Sequence, residues 1–326
     1  MIHFIVIAAN HGRPVEPSSA GESAVVALLE DMLPNSIFVD TQGLELSNDL
    51  YHCIDGFSKG FAQKAKLLLD SLVSKQRVLK VPVAAPSNGD GHSWPDCQAY
   101  QRLSLLPVAS HLLLGSGCVE CEANGRRRAS TTTIPNYLLS TSLEQLRSSH
   151  QIQFLEGQDA DIFQNTIIQP MISVAGSLSF YDSLVGTKLD PKLHPTPARN
   201  YLHGVETLLT MVDKARVRAS RARVGVRIVT TLPNPRDFRY TSVQLRRAWS
   251  SELGLPRSFP ELDIEFCYKK VSRAIFHQRY LANSKFAISI DRGLDIVNDD
   301  GTLRQCQLDI LSERKVIRDI DESEDA

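Results

Sequence analysis

The chain carries few cysteines, almost no net charge and no long apolar run, and each shortage excludes a class of protein. Six cysteines in 326 residues, at positions 53, 97, 118, 121, 267 and 306, are too scattered for a disulfide framework. They suit reduced thiols in a cytoplasm. A formal net charge of −1 provides no global field toward nucleic acid or membrane, so any electrostatic attraction must be local. No apolar stretch approaches the roughly 20 residues that span a bilayer. The start, Met1-Ile-His-Phe-Ile-Val-Ile-Ala-Ala9, is too short for a signal peptide, lacks its basic opening, and reads as a buried first strand. With 42 % hydrophobic and 22 % charged residues, the composition is that of a soluble globular chain long enough for two domains.

The periodicities give an α/β protein. In the first part, strands over Ile2 to Ala8, Ile37 to Val39, Val78 to Val83 and His111 to Leu114 alternate with helices over Glu22 to Leu33, Phe61 to Val73 and Asp96 to Ser104. Such alternation argues for a parallel sheet. A basic, Thr-rich stretch (Arg126 to Thr133) and a last helix and strand (Leu143 to Leu155) follow. In the second part, helices over Ile162 to Val174, Asn200 to Val212 and Ser242 to Leu253 mix with strands over Leu178 to Tyr181, Val224 to Thr231 and Asp263 to Tyr268, and a strand-turn-strand unit over Ala274 to Ile290. The expected organisation is an α/β domain over 1–160, a second α/β domain over 161–317 and a disordered acidic tail over 318–326.

In the first domain, Asp40, Asp96 and Glu120 fall at strand ends or helix starts, and Asn10 closes the first strand. This order resembles the PIN-like nuclease fold, whose carboxylates at such places hold Mg²⁺ or Mn²⁺ for phosphodiester hydrolysis. Asn10 stands where the first carboxylate is expected, and Gly115-Ser-Gly117 where a Thr-Gly-Asp turn would be. These departures leave three readings: an α/β domain unrelated to that fold, a degenerate relative with no cofactor, or an active metal nuclease with Mg²⁺ or Mn²⁺ on Asp40, Asp96 and Glu120. Cys118 and Cys121 form a lone Cys-x-x-Cys pair, short of the about four ligands zinc needs.

In the second domain, the string Phe276-His-Gln-Arg-Tyr-Leu-Ala-Asn-Ser-Lys-Phe-Ala-Ile-Ser-Ile-Asp-Arg-Gly-Leu-Asp295 holds a His-x-Arg, a hairpin and an Arg-Gly-Leu-Asp turn. Before it come a strand ending at Asp182, the helix start Asn200-Tyr-Leu-His-Gly204 and the strand end Arg227-Ile-Val-Thr-Thr231; after it comes the turn Leu303-Arg-Gln-Cys306. In this order they resemble the phospholipase-D-like domain at the C-terminus of MIT-domain proteins, over somewhat under half the chain. Ser183 and Leu184 replace the Pro and Tyr that follow the family's aspartate, and no MIT domain precedes the match.

The resemblance implies a phosphate site built from His277, Arg279, Arg292, Asp182, Asn200 and Thr231. A phospholipase D centre needs two His-x-Lys half-sites, one histidine attacking phosphorus and the other protonating the leaving oxygen. Here there is one, with Arg279 for its lysine and Ser284 for its aspartate. A guanidinium can still bind phosphate through its planar fork. The expected function is thus a noncatalytic phosphate-binding adaptor, with a prokaryotic multi-gene antiviral defence system as its setting. The alternatives are a phosphodiesterase using His277 across a homodimer and a strand histidine that serves only the fold. Arg292 is equally readable as the partner of Asp295. Independently, Lys214, Arg216, Arg218, Arg221, Arg223, Arg227, Arg236, Arg239, Arg246 and Arg247 crowd one segment against a single acid, Asp237. That patch is expected to meet a nucleic-acid backbone or anionic lipid, the alternative being a solvated face. Protein partners are expected as well.

Overall fold

The computed structural model describes residues 3–8, 19–40, 45–80, 110–114, 130–133, 151–185, 195–231, 243, 247, 254–271, 276, 278–311 and 314–323. It divides into two compact units, Met1–His150 and Gln151–Ala326, ahead of the expected boundary after residue 160.

The first unit contains β1 (His3–Ala8), α1 (Ser19–Asn35), β2 (Ser36–Asp40), α2 (Glu45–Asp55), α3 (Lys59–Ser74), β3 (Val78–Lys80), β4 (Ser110–Leu114) and β5 (Ser130–Thr133). All pairings are parallel, in the order β3-β2-β1-β4-β5, as the alternation predicts. The apolar face of α1 (Ala24, Val25, Leu28, Leu29, Met32) packs with Phe38, Leu50, Ile54, Ala65, Leu69 and Leu72. Glu22, 7 % exposed, accepts from Ser58 N at 3.1 Å and Ser58 Oγ at 2.7 Å, tying the start of α3 to α1. The Thr-rich stretch supplies β5, and α2 lies where no helix is expected. The expected helix over Asp96 to Ser104 lies outside the described residues.

The second unit is built on a sheet in the order β6-β12-β11-β10-β7-β8-β9. Its elements are β6 (Gln151–Phe154), α4 (Ala160–Phe163), a π-helical segment (Gln164–Ile168), α5 (Gln169–Val174), β7 (Ser177–Tyr181), α6 (Pro195–Arg218), β8 (Val224–Thr231), α7 (Leu255–Ser258), β9 (Leu262–Lys269), β10 (Arg279–Ala282), β11 (Ala287–Ile290), β12 (Cys306–Ile310) and α8 (Lys315–Asp321). β7, β8 and β9 run parallel, while β10, β11, β12 and β6 pair antiparallel. The π segment lies just before Pro170, which has no N–H for an α-helical bond to residue 166. The β10–β11 hairpin closes through Asn283, whose Oδ1 accepts from Lys285 N and Phe286 N at 2.8 Å each while its Nδ2 reaches Met171 O at 3.0 Å.

Two expectations change here. β6 was assigned to the first domain but pairs with β12, so it belongs to the second sheet. The stretch expected to be a disordered tail from 318 is instead folded through Ser323. Ile317 and Ile320, 1 % and 0 % exposed, bury one side of α8 among Tyr181, Val229, Cys267, Phe276 and Tyr280. Asp319 and Glu322 beside those two isoleucines are exposed, while Asp321 is half-buried against Tyr181. Burial at i and i+3 overrides the composition.

Candidate functional site

Of the residues singled out from sequence, the structure brings Asp182, Arg279 and Arg292 together. Asp182 follows β7 and is 0 % exposed. Its Oδ1 accepts from Leu184 N at 2.8 Å and its Oδ2 from Leu294 N at 3.2 Å, so one carboxylate ties the end of β7 to the Arg-Gly-Leu-Asp turn. Arg279, opening β10, places Nε 4.0 Å from Asp182 Oδ1 and donates from Nη1 to the Asp291 carbonyl at 3.3 Å. Its guanidinium also hydrogen-bonds the Tyr201 hydroxyl of α6. Arg279 Nε is buried and has no hydrogen-bond partner among the described residues. Removal from water pushes the Asp182 carboxyl up from 3.8 to about 6, against the opposing pull of the Leu184 N–H, Arg279 and the Leu294 N–H. The Tyr201 hydroxyl is pushed up by burial and by the nearby Asp182 and Asp295 carboxylates.

Two glycines make the cluster possible. A Cβ on Gly293 would overlap Asp182 Oδ2 and stand 3.0 Å from the Tyr201 hydroxyl. A Cβ on Gly204 would overlap the Leu294 carbonyl, so α6 lies directly against the turn. Tyr201 and Gly204 fall inside the Asn200-Tyr-Leu-His-Gly204 string, but their role was missed. The available signal was their i, i+3 spacing, which puts both on one helix face.

Arg279, Arg292 and Gly293 line one small cleft with Phe163, Leu208 and Ile296. Its interior, about 10 Å³, has room for a single water at most. Arg292 donates from Nε to the Gln305 carbonyl at 2.8 Å, so its partner is the 303–306 turn rather than Asp295.

The remaining candidates are placed as follows. Thr231 Oγ1 donates to the Ser183 carbonyl at 3.4 Å and holds the end of β8 to the loop after β7. Asn200 lies in α6. His277 lies outside the described residues. Among the basic residues, Arg216 pairs with Asp213 Oδ1 at 2.8 Å and donates to the Arg221 carbonyl at 3.1 Å. Arg221 donates to Ile172 O at 2.8 Å and Ser173 O at 3.0 Å, satisfying carbonyls at the end of α5. Arg218 meets Asn165 Oδ1 at 2.6 Å, and Arg223 meets Pro260 O at 3.2 Å and Asp263 at 3.5 Å. Arg218 and Arg223 are exposed, as is the helical residue Arg247; Arg246 lies outside the described residues. Among the described residues of this set, none lines the cleft.

In the first unit, Asp40 ends β2 fully buried, while Asn10, Asp96 and Glu120 lie outside the described residues. Among the described residues there is no group of three or more metal-ligating side chains, and no helix is long and apolar enough to cross a membrane.

No family model matches the chain, and no curated protein matches it.

Proposed function

We propose that the second unit is a noncatalytic, phospholipase-D-like module that binds a phosphate group, and that the chain acts as an adaptor on a nucleic-acid backbone or an acidic phospholipid. One observation carries this reading: two arginines from separate elements, Arg279 of β10 and Arg292 of the turn after β11, line the same cleft, and the Nε of Arg279, 4.0 Å from Asp182 Oδ1, has no hydrogen-bond acceptor among the described residues. A buried guanidinium N–H without an acceptor carries a desolvation cost that an anion oxygen relieves. The single half-site in the sequence supports binding over turnover. The exposed Arg218 and Arg223 extend the reading to longer polyanions, whose binding falls steeply with salt.

The test is phosphate-ligand affinity in Arg279→Ala. Loss of one charge-assisted hydrogen bond, about 1.5–3 kcal/mol, predicts roughly ten- to hundredfold weaker binding with the fold intact. Unchanged affinity removes Arg279 from the site. Metal-free hydrolysis of a generic phosphodiester, abolished by His277→Asn, would replace the adaptor with a phosphodiesterase.

A further inference from the structure

Two glutamines of the second unit are buried in the stretch that also buries Phe163, Ile167 and Ile168, and neither has its amide fully paired. Gln164 and Gln169 are each 1 % exposed. Both amide atoms of Gln164 and the Oε1 of Gln169 have no hydrogen-bond partner among the described residues. A buried amide without partners is destabilising, so a native fold either pairs it or holds a guest that does. The Gln169 amide cannot simply be turned over to help. Its Nε2 donates to Ser173 Oγ at 3.3 Å and to the Ala215 carbonyl of α6 at 3.4 Å, and a carbonyl takes only a donor. Its Oε1 is thereby held on the opposite edge of the planar amide.

The π segment is what stacks the two residues. The Gln164 N–H still bonds in the α pattern, to the Ala160 carbonyl, but the Gln164 carbonyl accepts from the Gln169 N–H, five residues on. An α-helix would give that bond to Ile168, one turn above Gln164. The extra residue puts Gln169 there instead. Side chains one turn apart on a helix face stand roughly 5–6 Å apart at Cβ, a spacing that suits a small molecule held between two long amides.

We infer that the π segment is a binding site for ordered water, which bridges the side-chain amides of Gln164 and Gln169. The chemistry of the open atoms selects the guest. Gln164 offers both a donor and an acceptor, and Gln169 an acceptor. A metal cation would satisfy the oxygens and turn a positive charge on the Gln164 Nε2 hydrogens; an anion would do the reverse. Water donates and accepts at once, and a buried water typically bonds to about three otherwise unpaired polar groups. Phe163, the residue before Gln164, lines the cleft, so the site adjoins the cleft wall.

The test uses the full chain. A crystal structure that resolves ordered solvent should show water within hydrogen-bond distance of both amides. Magnetic relaxation dispersion of the solvent should register a loss of long-lived buried water in Gln164→Met, a substitution close in volume that removes the amide. Where Gln164→Met does not fold, the wild type decides the same point. Its Gln164 side-chain NH2 protons should then show a contact with water that carries the sign of a rotating-frame Overhauser effect rather than of proton exchange. A direct bond between the two amides with nothing between them overturns the site. So does a dispersion unchanged in folded Gln164→Met, or a Gln164 NH2 without that water contact.

Discussion

Two carboxylates lie beside consecutive residues at the end of β7, on opposite faces of the seven-stranded sheet, and are held in different ways. Asp182 looks toward α6, receives two backbone N–H groups and stands 4.0 Å from the Arg279 guanidinium. Asp321, at the end of α8, takes the Tyr181 hydroxyl on both oxygens at 3.0 Å and lies 3.6 Å from Arg227 Nη1. Lys269 Nζ donates to the Asp321 backbone carbonyl at 2.9 Å and to Ser323 O at 3.1 Å, fastening the same helix end. Asp321 keeps a third of its side-chain surface in water, whereas Asp182 keeps none. Hydrogen-bond number does not separate the two; solvent does. Burial makes Asp182 a reluctant charge with a functional reading, and partial exposure makes Asp321 an anchor.

The comparison breaks most directly at Gly204. Gly204→Ala drives a methyl into the Leu294 carbonyl and should destabilise the second unit by on the order of 4 kcal/mol, above the usual overpacking cost because the obstacle is backbone. A urea midpoint equal to wild type would mean that α6 does not seat against the turn.

Next comes pH. The Asp182 carboxyl is raised from 3.8 to about 6 in the fold, so its protonated form is favoured there. Its stabilising contribution is complete below about pH 4 and is lost as pH rises through 6, a swing of about 3 kcal/mol. The difference in unfolding free energy between wild type and Asp182→Asn should therefore shift by that amount from pH 4 to 7.5, in favour of wild type at the acid end. A flat difference would mean that Asp182 is no more desolvated than Asp321.

On the other face, Tyr181→Phe removes the hydroxyl from Asp321 and should cost about 1–2 kcal/mol, since Arg227 and Lys269 still hold the helix end. Chemical denaturation measures it, and helix-specific hydrogen exchange over residues 315–321 should show the loss first. The smallest effect falls farther away. Arg218→Glu with Arg223→Glu should alter stability by about 0.5 kcal/mol or less, because both side chains are exposed. Arg221→Glu should instead destabilise by about 2 kcal/mol by uncapping α5. Equal effects would dissolve the distinction between arginines that face solvent and those that serve the fold.

The strands were legible wherever β-branched runs end at turn residues; β8 spans Val224–Thr231 as read, and β2 closes at Asp40 as read. The turn reading stops at Cys306 and leaves β12 unassigned, although Cys306-Gln-Leu-Asp-Ile310 alternates buried and less buried positions with period two. α8 was missed because five acids in the last eight residues swamp two isoleucines. Asp182 was found because it ends a strand. Its burial depends on the turn that carries Gly293 and Leu294, 112 residues later in the chain, and on α6 packed against that turn. That distance leaves no local pattern. The basic run shows the converse error: density of arginine in sequence said nothing of whether each guanidinium faces water or a helix end.

The widened turn at Gln164–Ile168 carries a consequence for how this unit tolerates change in length. A π segment is one residue more than the α-helix around it requires, and each helical residue turns the chain by about 100°. Phe163, at the cleft, precedes the extra residue; Met171 and Ile172, both fully buried, follow it. Removing one residue there would not shorten a loop. It would rotate α5 against α4 by roughly a quarter turn and present a different set of side chains to the sheet. The segment thus acts as a vernier between the cleft wall and the core, and the reading frame of the whole helix is set by a single amino acid.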